Sequence, residues 1–254
     1  MNNNKLEIND NVRFGCEIEF TRTNIFDTSF ITNNNYEFKK DASGIAVYEA
    51  ISPILSNDIQ SWKTLKSILE YIKNNNGYIA GNEGAHIHFD KSILNTGKLK
   101  DFLKTWYVFE DIIYQFSNGD YVNSRSSIYM YAKKLGADLR TNIDIYDDYS
   151  MYNKRYGLNL NHKKYNTYEV RVPNGTLNFN TWQNNIEFFS SLFSFANDDN
   201  NKIIIDKLYK FGKLKNNYEH ALLLCDLIFK SNGSKDRFLN QYKHEDRKFL
   251  MRVR

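Results

Sequence analysis

Hydrophobic and polar residues alternate at period two over residues 13–20, the first strongly patterned stretch of the chain. This alternation predicts a strand with an apolar face that packs into a core and a polar face that carries Glu17 and Glu19. Two such carboxylates lie about 7 Å apart on a strand, and they repel each other unless cations lie nearby. A solvated outer face is the simpler interpretation of one strand, so the question is whether the arrangement recurs.

Three later stretches repeat this combination of one apolar and one polar face. The polar positions are Glu49 in residues 45–51, His86, His88 and Asp90 in residues 84–90, and Glu169 with Arg171 in residues 166–172. Each has a simpler interpretation alone, since Glu169 and Arg171 could form a surface ion pair worth at most about 1 kcal/mol. If all four strands share one sheet, their polar faces form one carboxylate-rich surface, which is electrostatically unfavourable without divalent cations.

Apolar residues at helical spacing predict helices in much of the remaining chain. The predicted helices cover residues 62–72, 99–116, 124–135, 182–196, 202–210, 216–230 and 235–247. Residues 138–153 are rich in Asp and Tyr, have no period and predict a long loop. We therefore expect an α+β fold with an antiparallel sheet, divided into a flexible N-terminus (residues 1–11), a core (12–198) and a helical C-terminal part of the same domain (199–254).

Composition and charge exclude several classes of protein. The chain carries 34 basic and 30 acidic residues, and this near-balance, without a recognisable nucleic-acid motif, argues against a nucleic-acid partner. Both cysteines, Cys16 and Cys225, fall on predicted apolar faces, which favours a reduced, cytoplasmic protein without disulfides. No apolar run is long enough for a signal peptide or a membrane span, so we expect no membrane association.

The types of candidate ligand indicate which metal ion and which class of reaction the site suits. Several carboxylates with an imidazole suit Mg²⁺ or Mn²⁺ better than zinc, which prefers sites rich in Cys and His. Mg²⁺ typically bridges protein carboxylates to substrate phosphates, and Arg171 on the same face as Glu169 could bind a phosphoryl group in transfer. The chain has no P-loop and no kinase motifs, so a nucleotide would bind by another route. The residues alone leave open phosphoryl transfer and metal-dependent hydrolysis.

Five short motifs follow one another in a distinctive order. They are Phe-Gly-x-Glu-x-Glu at 14–19, Glu-x-x-Ser-Pro-Ile-Leu at 49–55, Gly-x-His-x-His-x-Asp at 84–90, Ser-Arg at 124–125 and Tyr-Glu-x-Arg-x-x-x-Gly-Thr-Leu at 168–177. This order resembles the amidoligase family, which belongs with glutamine synthetase and glutamate–cysteine ligase to the carboxylate–amine ligase superfamily. The resemblance covers roughly residues 12–198, which would form the catalytic core. It implies an antiparallel sheet curved into a funnel and flanked by helices, with Mg²⁺ ions holding the phosphates of ATP at one end.

The resemblance also implies a division of the metal ligands between two ions. Glu17, His86 and Glu169 would hold the ion that touches the γ-phosphate of ATP. Glu19 and Glu49 would belong to the ion nearer the substrate carboxylate and the transferred phosphoryl group.

Further residues receive roles from the same resemblance. Arg171 would stabilise the charge of the transferring phosphoryl group, and Arg125 would bind phosphate or carboxylate. His88 and Asp90 would orient the metal ligands, and the loop at 138–153 could help to bind or deprotonate the amine. The implied reaction phosphorylates a carboxylate with Mg·ATP and then lets an amine displace phosphate, giving an amide.

Neither the residues nor the resemblance identifies the substrates or the oligomeric state. The carboxylate and the amine could belong to small molecules or to peptides. Two other classes stay open, a metal-dependent hydrolase that uses the His, Asp and Glu cluster, and a non-catalytic binding module for an acidic partner. Release of ADP that requires both an acid and an amine would distinguish a ligase from the other two.

Overall fold

The computed structural model confirms an α+β fold with an antiparallel sheet. It describes residues 6–22, 37–40, 47–121, 123–125, 127–136, 155–162 and 166–243. The strands are β1 (Arg13–Thr21), β2 (Glu37–Lys40), β3 (Val47–Ile51), β4 (Leu55–Ser56), β5 (Ala85–Asp90), β6 (Leu158–His162) and β7 (Thr167–Val170). The helices are α1 (Ile59–Asn74), α2 (Leu99–Phe116), α3 (Ile128–Tyr131), α4 (Phe179–Asn197), α5 (Lys202–Phe211), α6 (Tyr218–Ile228) and α7 (Asn232–Tyr242), with 3₁₀ turns at Lys91–Ile93 and Asp199–Asn201.

All strand pairs of the sheet are antiparallel, and the long strand β1 lies at its centre. The order is β2-β3-β1-β5-β7-β6, and the short strand β4 pairs with the start of β1. In this register Glu17 lies opposite His86 on β5, and Glu19 lies opposite Glu49 on β3. Because opposite residues of antiparallel strands project to the same side, the polar faces predicted from period two adjoin in space.

The other face of the sheet is apolar and packs against α2 and α4. Phe193 of α4 contacts Phe89 of β5 with ring centroids 5.2 Å apart and stacks on Phe102 of α2 at 4.1 Å. The apolar residues of β1 share this side, and Phe14 contacts Trp62 of α1 at 5.5 Å. The predicted inward faces of the strands are therefore buried, as their alternation indicated.

The C-terminal helices pack on α2 and α4. Phe238 of α7 stacks on Phe116 at 5.0 Å and on Phe188 at 5.2 Å, and Tyr209 of α5 meets Tyr107 at 5.6 Å. Among the helices that the structure describes, none combines the length and the hydropathy that crossing a bilayer requires. The proposed division into N-terminal, core and C-terminal parts stays a prediction.

The predicted helix at 124–135 is wrong, because in the described part of this range only Ile128–Tyr131 forms a helical turn. The backbone groups at the end of this turn and beyond it form hydrogen bonds with residues that are distant in sequence. The carbonyl of Tyr131 accepts from the Arg171 side chain, the carbonyl of Ala132 accepts from Tyr114, and the amide of Leu135 donates to Glu110. These tertiary bonds replace the ladder that a continuous helix would form. The loop predicted at 138–153 lies outside the described residues.

We expect Phe193→Ala to lower the free energy of unfolding by about 3–5 kcal/mol, because the ring is fully buried between the sheet and α2. Phe211→Ala is the matched control, since that ring is 87% exposed and its loss should change stability by about 0.5 kcal/mol or less. Urea unfolding followed by circular dichroism measures both. Equal losses would contradict the assignment of Phe193 to the core.

Candidate active site

Three neighbouring strands bring Glu17, His86 and Glu169 together, and we refer to these residues as the trio. Strand β5 lies between β1 and β7, so the three side chains project side by side on the polar face. One ligand atom from each lies within 4.8 Å of the others, and all three residues are buried. The set that the family resemblance assigned to one ion is therefore one cluster in space.

The Glu17 carboxylate lies between two imidazoles. His86 Nδ1 is 3.2 Å from Glu17 Oε2, and His88 Nε2 is 3.1 Å from Glu17 Oε1. Burial by itself would raise the pKa of Glu17, but hydrogen bonds and charge from His86 and His88 hold that pKa well below its usual range. The trio therefore contains an ionised carboxylate at neutral pH, which is the form that binds a cation.

Glu169 is held by two partners on its own side of the sheet. Asn159 donates from Nδ2 to Glu169 Oε2 at 2.7 Å, and the Arg171 guanidinium bonds Glu169 Oε1. Burial alone would raise the pKa of Glu169, whereas the charge of Arg171 and of the two imidazoles lowers it. Asn159 was not among the residues predicted for the site, although its alternation with Leu158 and Leu160 indicated that it shares the polar face.

Glu19 and Glu49 form a second acidic pair beside the trio. They occupy opposite positions of β1 and β3, where side chains are close neighbours. Glu19 Oε2 accepts from the amide of Gly84 at 2.6 Å, and Glu19 Oε1 is 3.6 Å from His86 Nε2. The strand register thus brings together the residues predicted for a second ion.

Arg125 is buried and bonded to the backbone that follows β7. Its guanidinium donates to the carbonyls of Pro173 at 2.7 Å and Arg171 at 2.8 Å, and its amide donates to Asn174 Oδ1 at 2.9 Å. Burial lowers the pKa of Arg125 to about 10, while the charge of Glu19 opposes that shift. Its observed partners fix the backbone that follows β7, and the predicted role in binding phosphate or carboxylate stays a prediction.

The two residues predicted to orient the ligands separate in the structure. His88 reaches Glu17 on one side, and its Nδ1 lies 2.9 Å from Thr167 Oγ1 on the other, so it can orient Glu17. Asp90 is exposed at the end of β5, where Oδ1 accepts from the amide of Ser92 at 2.8 Å and caps a 3₁₀ turn. The structure does not bring Asp90 into the trio.

A cleft of about 360 Å³ opens beside Glu17 and His88 on the same face of the sheet. Its lining residues are Arg13, Phe14, Gly15, Cys16, Glu17, Ile51, Ser52, Pro53, Ile54, His88, Asp90 and Thr167. Gly15 lines this cleft without a side chain, and a Cβ built on it would meet atoms of His88 and Ser52 only at 3.9 Å. The cleft therefore combines a mainly apolar wall with the charged cluster, and sequence analysis did not anticipate it.

The sequence matches one known family over more than half of its length. The profile of the family described as "Putative amidoligase enzyme" matches residues 23–193. No curated protein matches the chain. Among solved structures, the complex between Prokaryotic Ubiquitin-like Protein Pup and its ligase PafA is similar with a TM-score of 0.45 and 10% identity. That similarity covers 98% of this chain, which spans 66% of the matched chain.

We expect Gly84→Ala to lower the free energy of unfolding by about 1–3 kcal/mol through overpacking. A Cβ at Gly84 would lie 2.5 Å from His86 Nε2 and 2.7 Å from Arg125 Nη1, so buried side chains would have to move. Gly15→Ala is the matched control on the same face, because its Cβ would meet atoms of His88 and Ser52 only at 3.9 Å. Urea unfolding compares the two variants, and equal stability would refute the tight packing around Gly84.

Proposed function

This chain belongs to the amidoligase family, and we propose that it is an ATP-dependent carboxylate–amine ligase that forms an amide through an acyl phosphate. The observation that carries the proposal is the trio of two carboxylates and one imidazole in a buried cluster. Buried carboxylates are costly unless they are paired or coordinate a cation. The substrates would be a carboxylate and an amine, each on a small molecule or a peptide.

The donor set of the trio suits Mg²⁺ or Mn²⁺. Carboxylate oxygens with one imidazole are the ligands that these ions accept, and the three ligand atoms already lie within 4.8 Å of one another. Glu17, His86 and Glu169 would hold one ion, and Glu19 with Glu49 would contribute to a second. When bound, these ions would neutralise the charge of the ATP phosphates.

In the proposed reaction, Arg171 would stabilise the transferring phosphoryl group. Its guanidinium bonds Glu169, and its Nε donates to the carbonyl of Tyr131 at 3.1 Å, so the cation is held beside the trio. A fixed donor of this kind stabilises charge that develops in a transition state without having to reorganise first. A planar guanidinium also matches the geometry of phosphate oxygens better than an ammonium group does.

The proposed reaction has two displacement steps. An oxygen of the substrate carboxylate attacks the γ-phosphorus of ATP, and the bond between that phosphorus and the β–γ bridging oxygen breaks. ADP leaves, and the substrate becomes an acyl phosphate. The amine nitrogen then attacks the acyl carbon, the bond from carbon to the phosphate oxygen breaks, and phosphate leaves with release of the amine proton. The protein would hold the reactants in line and exclude water, which would otherwise hydrolyse the acyl phosphate.

The apolar cleft beside Glu17 supports a nucleotide as one substrate. Its volume of about 360 Å³ lies within the ordinary range for small-molecule sites. The cleft adjoins the trio through Glu17, which also contacts the cleft residue His88, so a base and ribose in the cleft would direct phosphates toward the trio. A simple metal-dependent hydrolase, the alternative for the same trio, has no need of a nucleotide cleft. A nucleotide requirement therefore separates the two functions.

We expect Glu17→Gln and Glu169→Gln each to lower ATP turnover by at least about 100-fold, because a neutral amide cannot replace a carboxylate toward Mg²⁺. ADP release with a panel of acids and amines, combined with Mn²⁺ titration, measures the effect. Glu70→Gln is the control, since Glu70 is an exposed partner of Lys66 on α1 and should change neither readout. Turnover like that of the wild type in either trio variant would overturn the metal assignment.

We expect Gly15→Val to raise the KM for ATP about tenfold while the kcat stays within about threefold. The reason is that Gly15 lines the cleft, and a branched side chain there would occupy space assigned to the nucleotide. Gly15→Ala adds only one carbon and should give a smaller increase. Steady-state kinetics at saturating acid and amine test this, and an unchanged KM in Gly15→Val would place the nucleotide elsewhere.

A further inference from the structure

Glu110 is a completely buried carboxylate that lies outside the trio. It projects from α2, where Oε1 accepts from the amide of Leu135 at 2.6 Å and Oε2 accepts from the amide of Gly136 at 3.2 Å. The ammonium group of Lys213 donates to Oε2 at 2.9 Å. One carboxylate thus binds three donors, and two of them belong to the segment that follows α3.

That segment, residues 131–136, is bonded along its length to the structure that surrounds Arg171. The carbonyl of Tyr131 accepts from Arg171 Nε at 3.1 Å. The amide of Lys133 donates to the carbonyl of Arg155 at 2.6 Å, and the Lys133 carbonyl accepts from the amide of Gly157 at 2.8 Å. The carbonyl of Gly157 in turn accepts from the amide of Arg171 at 2.8 Å. Arg171 is therefore held through its side chain and its backbone by groups connected to residues 131–136.

We propose that Glu110 and Lys213 are positioning residues that hold the Arg171 guanidinium in its place beside Glu169. Glu110 fixes the end of the segment whose start accepts from Arg171, and Lys213 donates to Glu110 Oε2 within the core. The catalytic meaning of this positioning rests on the proposed function, in which Arg171 stabilises the transferring phosphoryl group. The positioning itself can be measured without any reaction.

Both carboxylate oxygens of Glu110 are needed because three donors bind them. A carboxylate offers two acceptor oxygens, whereas a glutamine amide offers one acceptor and turns an NH₂ group toward the other donors. Partial burial would lower the pKa of Lys213, but Glu110 and Asp111 raise that pKa above its ordinary value. Lys213 follows α5, and the amide of the next residue, Leu214, donates to the carbonyl of Val108 at 2.9 Å. The C-terminal part of the chain thereby contributes to the arrangement around Arg171.

Asp111 provides a matched control in the same helix. Its carboxylate binds Lys134 at 2.6 Å and Lys213 at 3.0 Å. Asp111→Asn therefore removes one negative charge that contacts Lys213, as Glu110→Gln does. Both of these partners are side chains, whereas Glu110 binds the backbone of Leu135 and Gly136. Loss of a charge, or of a side-chain contact to residues 131–136, would affect both variants, whereas loss of the backbone contacts at Leu135 and Gly136 would affect Glu110→Gln alone.

The first test follows the Arg171 Nε–H signal by NMR, with the signal assigned by its disappearance in Arg171→Lys. We expect hydrogen exchange of this proton to be about tenfold faster in Glu110→Gln and within about twofold of the wild type in Asp111→Asn. If Glu110→Gln does not fold, Lys213→Gln is tested against the same control, because its side chain is partly exposed. Unchanged exchange in the folded variant would overturn the proposal.

The second test is a double-mutant cycle in ATP-dependent amide formation. We expect Glu110→Gln to lower the kcat about 10- to 100-fold with little change in the KM for ATP, and to add little to the loss caused by Arg171→Lys. Losses that multiply in the double variant would show that Glu110 acts independently of Arg171 and would overturn the proposal. If the wild type shows no ligase activity, the proposed function fails, and the NMR result alone still decides the positioning.

Discussion

The Glu17 carboxylate is the charge around which the functional side of the sheet is arranged. It is buried, and an ionised carboxylate is costly to bury unless hydrogen-bonding or cationic groups contact it. His86 provides such a contact because the β1–β5 register places it directly opposite Glu17. A slip of one residue would turn Glu17 toward the apolar core. The registers of β1, β5 and β7 are therefore the constraint on which the trio depends.

The two faces of the sheet have different roles: one forms the hydrophobic core, and the other carries the candidate site. On one face, aromatic side chains from the strands, α2 and α4 form the core, with Phe193 in contact with Phe89 and Phe102. On the other face, the same strands present the charged cluster and the cleft. Side chains on paired strands are held more precisely than side chains on loops, which favours the strands as the support for the candidate site. The C-terminal helices pack on α2. Lys213, which follows α5, binds Glu110 of α2 and in this way contributes to the position of Arg171.

The sequence by itself determined which residues face the core and which face the site. Strict alternation in a strand leaves a side chain only two directions, so the inward positions of β1 and β5 and the outward positions of Glu17, His86 and Glu169 follow from period two. Helical spacing located α2, α4 and the later helices in the same way. The order of five short motifs was enough to indicate the family, which the profile match over residues 23–193 confirmed.

Only the tertiary structure decided which of these residues are in contact and which partners their backbone groups bind. The strand order brought Glu169 to His86, and the cleft beside Gly15 exists only because β1, β5, β7 and the loop at residues 52–54 converge. The segment after Arg125 has helical spacing but forms a single turn, because distant side chains and strands use its carbonyls and amides. Hydrogen bonds between residues far apart in sequence leave no local pattern. They arise from packing, and for that reason sequence alone could not reveal them.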